Sequence, residues 1–100
     1  MTKVLLTLIL PKDVSEHVED LLLSRPDLSP GFTSAEVAGH GSGVPLVVPG
    51  EQVAGHAPRI AIQTAGEEAA LRELLAQIKA AFPRTNFYFW LQPVIDMGKL

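Results

Sequence analysis

The chain contains no cysteine. It can therefore hold no disulfide, no thiolate nucleophile and no sulfur-based zinc site, and any metal must rest on imidazole, carboxylate, thioether or backbone ligands. Cationic runs are equally scarce. Eight Lys and Arg against eleven Asp and Glu leave a net charge of −3 over 100 residues, without the basic stripe that nucleic acid or an anionic membrane surface demands. No stretch approaches the ~20 apolar residues of a membrane span. The opening MTKVLLTLILP has too short an apolar run for a secretory leader, ends in Pro11 and lacks a small-residue cleavage site. A cytoplasmic protein without nucleic-acid partner or membrane span is the expectation. No serine stands in a nucleophile elbow, no motif places two carboxylates together, and Asp96 is a lone acid near the C-terminus, so an enzyme is the least supported class.

What the chain does have is the composition of an ordinary globular domain, 47% hydrophobic and 19% charged, and its length suits one domain spanning residues 1–100. Residues 3–10 are nearly all apolar and bounded by Pro11, which predicts a strand buried on both faces or at an oligomer contact. Val14, Val18, Leu21 and Leu22 then fall on one helical stripe, with Lys12, Asp13, Glu16, Glu19 and Asp20 around them, until Arg25 and Pro26 stop the helix. His17, between Glu16 and Glu19, reads as a solvated helix residue. After a turn at 27–31, residues 32–38 read as a second strand, and RIAIQ at 59–63 as a third able to pair back with it antiparallel. Thr64 and Glu67 fit a capping box, so a second helix is expected to start there, with Leu71, Leu74, Leu75, Ile78 and Phe82 as its stripe and Pro83 as its end.

Residues 87–91, FYFWL, read as the last strand, with Tyr88 and Trp90 on one face and Phe87, Phe89 and Leu91 on the other. The order β-α-β-β-α-β is that of an α+β, ferredoxin-like domain: a four-stranded antiparallel sheet with two helices on one face. Because the first and last strands are apolar on both sides, the second sheet face needs cover, and identical subunits are the simplest source.

Between the second and third strands lies a long loop, about residues 41–57, whose flanks carry the same four letters: VAGH at 37–40 and again at 53–56. His40 and His56 thus stand near its two sides, where antiparallel pairing would bring two neutral imidazoles within reach of one Cu, Zn or Ni ion, with Glu36 or Glu51 adding an oxygen. Alternatively they are two solvated loop histidines. Gly39, Gly41 and Gly43 allow the backbone to approach a phosphate, or simply permit positive φ where the strand opens into the loop. The apolar 44–48 segment suits either a protein partner or packing against a neighbouring subunit.

The stretch GFTSAEVAGHGSG, residues 31–43, resembles the PII signal-transduction family, whose second strand runs G-[MF]-T-x-x-E-V-x-G-x-G into a long effector loop. The third strand and second helix follow the same plan. The resemblance implies a PII-like homotrimer, and for an adenine nucleotide at the subunit cleft it implies contacts from Thr33, Gly39, Gly41 and Ser42. The Gly/Lys-rich phosphate loop of that family is replaced here by FPRTNF at 82–87, with a single Arg84 and no glycine, which removes half of a triphosphate cradle. The aromatic last strand and short tail are closer to small bacterial PII-like proteins associated with heavy-metal efflux systems. That resemblance implies a regulatory sensor of a transition-metal ion, held by His40, His56 and Glu36, with an efflux component as protein partner. A nucleotide-binding relative and a purely structural trimer are the alternatives.

Overall fold

A computed structural model describes residues 2–40 and 57–100 of the chain. β1 (Lys3–Pro11) is followed by a single 3-10 turn (Lys12–Val14) and α1 (Ser15–Leu23), then β2 (Thr33–Gly39), β3 (Ala57–Glu67), α2 (Glu68–Ala81) and β4 (Tyr88–Pro93). The strands form one antiparallel sheet in the order β2-β3-β1-β4. This is the expected α+β, ferredoxin-like arrangement.

Alternation along β1 sorts the residues by face. Val4, Leu6, Leu8 and Leu10 are buried and meet Ile60 and Ile62 of β3, Val18 and Leu22 of α1, and Leu71, Leu74 and Ile78 of α2 in one core. Each such side chain contributes roughly 1.5–3 kcal/mol when removed from water. Lys3, Leu5, Thr7, Ile9 and Pro11 alternate onto the opposite face, which among the described residues no helix covers.

The first helix starts later than its apolar stripe suggests. Pro11 fixes an extended backbone, and the chain tightens through the 3-10 turn, with Ser15 Oγ donating to the Lys12 carbonyl, before α-helix begins.

The expected helix start at Thr64 is wrong. Strand β3 runs on to Glu67, held by β1 in the pairs Leu6↔Thr64, Leu5↔Ala65, Val4↔Gly66 and Lys3↔Glu67. Thr64 caps nothing. Its buried hydroxyl donates to the Gly31 carbonyl at 2.8 Å and lies 2.7 Å from Ser29 Oγ. Three satisfied polar atoms there, plus four ladder pairs, outweigh one local capping bond. Instead the Glu68 amide donates to the Thr2 carbonyl, and the N-cap residue Glu67 makes no side-chain capping bond.

Candidate functional site

The open end of the β2–β3 hairpin is built by an uninterrupted register: Thr33↔Gln63, Ala35↔Ala61, Val37↔Arg59 and finally Gly39↔Ala57. His40 leaves β2 one residue past that last pair and is exposed. Gly41, Ser42 and His56, all expected site residues, lie outside the described residues, as do Gly43, Glu51 and the 44–48 segment.

Glu36 is exposed on β2 and faces Lys12, whose Nζ stands 2.6 Å from Glu36 Oε1. The ammonium holds the Glu36 carboxyl below its ordinary range, first through the hydrogen bond and then through charge attraction. Residues four apart in an extended chain are separated by about 13 Å, so the structure does not bring Glu36 and His40 onto one ion. Among the described residues, no three His, Asp or Glu side chains converge on a common point.

Thr33 has a different neighbourhood. On the sheet face away from the helices it pairs with Gln63, Gln63 Nε2 donates to Thr7 Oγ1 at 3.3 Å, and Thr7 pairs with Trp90. A polar row, Thr33, Gln63 and Thr7, thus crosses three strands and ends at the only tryptophan. Thr7 is buried beneath its neighbours although it lies on the open face. Around the row stand Leu5 and Ile9, half-buried, and the exposed Val37, Tyr88 and Trp90.

Toward the open end, Arg59 is 5% exposed, and its Nη1 donates to the Pro58 carbonyl. Sequence reasoning missed this buried cation, since alternation says which face a strand residue takes but not how deeply its side chain is covered. The Gln63–Thr7 bond was also missed, although the paired strands contained it: once β1 and β3 are in register, both polar residues fall on one rung.

These elements define an α+β protein of PII-like architecture: a four-stranded sheet, two helices on one face, and a long stretch of sequence between β2 and β3. The chain belongs to the family described as "Protein of unknown function (DUF3240)", whose model matches residues 1–100. A crystal structure of a DUF3240 family protein from Shewanella baltica OS155 is similar to it over 100% of this chain and 98% of that one, with a TM-score of 0.80 and 19% identity. CPII, a nitrogen regulatory PII-like protein from Thiomonas intermedia K12 solved with ADP, AMP and bicarbonate, is similar over 100% of this chain and 97% of that one, with a TM-score of 0.72 and 21% identity. At these identities the likeness is one of fold. No curated protein matches the sequence. Among the described residues, no helix is long and apolar enough to cross a membrane.

Proposed function

We propose that this chain is a cytoplasmic regulatory protein, folded as one unit over residues 1–100, that binds a small effector at the open end of the β2–β3 hairpin and passes the bound state to a protein partner. The effector in this reading is a Cu, Zn or Ni ion, and the partner a component of metal efflux. One observation carries it: the last described pair of the hairpin is Gly39↔Ala57, and these two residues are the covalent neighbours of His40 and His56. The Cα atoms of directly paired strand residues are about 5 Å apart, and in the sequence each histidine stands one peptide from that pair. Two imidazoles per chain are half of a tetrahedral site, and a homotrimer multiplies them about its axis. The apolar face bearing Leu5, Ile9, Tyr88 and Trp90 supports such self-association. Glu36, paired with Lys12, is left out of this site. The test is titration of Zn, Cu and Ni into the purified protein beside His40→Ala and His56→Ala. Loss of binding in both variants supports the site, and unchanged affinity in both removes it.

A second reading, an adenine nucleotide at a subunit cleft, is supported by the likeness in fold to CPII, a protein solved with ADP and AMP, and by Thr33 at the edge of the polar row, with Gly39, Gly41 and Ser42 beyond it. The turn at 82–87 offers only Arg84 as a cation, so a mono- or diphosphate suits this chain better than a triphosphate. Calorimetry with ATP, ADP and AMP decides it. Absence of heat at millimolar nucleotide removes this reading and leaves the metal site standing.

A further inference from the structure

Between the C-terminal half of α2, the turn after it and β4 lies a groove of roughly 390 Å³, walled by Leu75, Lys79, Phe82, Phe87 and Phe89 with Leu8 at its base. Phe89 sits on the helix-facing side of β4, opposite Leu8, yet is 55% exposed. The cause is topological: α2 packs over β3 and β1 and stops short of the edge strand. The wall is preformed, since the Phe82 and Phe87 rings meet at 5.7 Å with a 47° tilt. Among the described residues, Lys79 is the only charged one of the lining.

The same chain carries an exposed apolar segment. After β4 the Val94 amide donates to the Lys3 carbonyl, and the chain then leaves the sheet with Ile95 fully exposed, Met97 exposed and Asp96 between them. We propose that this segment of one copy docks in the α2–β4 groove of a second copy, with Ile95 and Met97 against the phenylalanines and Asp96 facing Lys79. Burial of both apolar sets drives it, and the acid matches the Lys79 charge in the lining.

Within its own copy Ile95 makes no such contact, since it is fully exposed. Five extended residues separate Phe89 from Val94, about 16 Å, whereas Ile95 lies one peptide, ~3.8 Å, beyond Val94. Ile95 therefore stays at least ~12 Å from Phe89 of its own chain by the same measure. Groove and segment are different patches, so the contact is heterologous and closes into a ring when the rotation per copy allows. This inference stands independently of which effector the hairpin binds.

The absence of cysteine gives a clean test. The full chain carrying Lys79→Cys and Ile95→Cys together is treated at low micromolar concentration with a short bismaleimide and run on a denaturing gel. Linked dimers and larger species are expected, and the two single variants mixed should give linked dimer while neither links alone. Adding Met97→Asp, on the exposed segment where it cannot unfold the core, should lower the linked yield several-fold. A double variant that stays monomeric on the gel overturns the proposal. So does a single variant that links as well as the double one, or a yield that Met97→Asp leaves unchanged.

Discussion

Gly39 and Ala57 form the last described rung of the β2–β3 ladder, and each is covalently joined to a histidine. Of the four-letter repeat that brackets the loop, the first copy closes strand β2, and the second lies outside the described residues. If His40 and His56 share one ion, removing either leaves a single imidazole, and removing the second costs little more. His40→Ala and His56→Ala should each weaken Zn binding by about tenfold or more, and the double variant should fall well short of their product, the coupling expected of groups that act together. Competition titration against a chromogenic chelator measures all four affinities. Independent, multiplicative losses would mean that the two residues do not serve one site.

Thr64 is the position where sequence and structure part most sharply. Its hydroxyl joins Ser29 and Gly31 beneath the chain entering β2. Thr64→Val keeps the shape and removes the hydroxyl, leaving the Gly31 carbonyl with only the longer 3.2 Å bond from Ser29. A loss of about 1–3 kcal/mol follows from a buried polar group losing its partner, read as a lower urea midpoint. A capping role would instead reduce helix content, which circular dichroism separates from the expected result.

The reason Thr64 misled is general. A capping box is a local pattern, and TAGE satisfies it, but the β1 edge opposite offers four ladder pairs that no local window contains. Patterns that report burial were read correctly for the same reason in reverse: the stripes on α1 and α2 directly state which atoms leave water. Tyr88 and Trp90 indeed share the face with Ile9 and Thr7, while Phe89 and Leu91 face Leu8 and Leu6. Of the expected site residues, Thr33 and Gly39 lie on strand β2 and His40 follows it, so their places along the chain were legible. Arg59 and the Gln63–Thr7 bond were not, because depth of cover and cross-strand bonding depend on elements distant in sequence.

The Lys12–Glu36 pair ties the 3-10 turn to β2 at 2.6 Å. Its ammonium depresses the Glu36 carboxyl below the ordinary value of 4.5. The folded state thus binds the Glu36 proton less tightly than the unfolded chain does. The contribution to stability is present above pH 4.5 and is lost as the pH falls through the lower folded-state value. Both partners are exposed, so the effect on stability is small and sensitive to salt. Lys12→Ala should return the Glu36 titration upward toward 4.5, followed by carboxyl carbon shifts in an NMR titration. A titration that does not move would show that Lys12 is not the cause.

The two faces of the sheet should respond oppositely to substitution. Leu6, fully buried on the helix-facing side of the central strand β1, loses its packing as Leu6→Ala, at a cost of about 2–5 kcal/mol in folding stability. Trp90, 45% exposed on the other face, has little to lose within one subunit. Its value lies in association, since a large exposed aromatic beside Tyr88, Leu5 and Ile9 makes an apolar patch that a second copy can cover. Trp90→Lys should destabilise the dilute monomer less than Leu6→Ala does. In sedimentation equilibrium it should weaken self-association by tenfold or more, the loss expected when a hot-spot aromatic is replaced by a charge. The wild-type chain carries its own probe, because its sole tryptophan should shift to longer emission wavelength on dilution as the face is uncovered. Emission independent of concentration, with a molecular mass unchanged by Trp90→Lys, would show that this face is not where the copies meet.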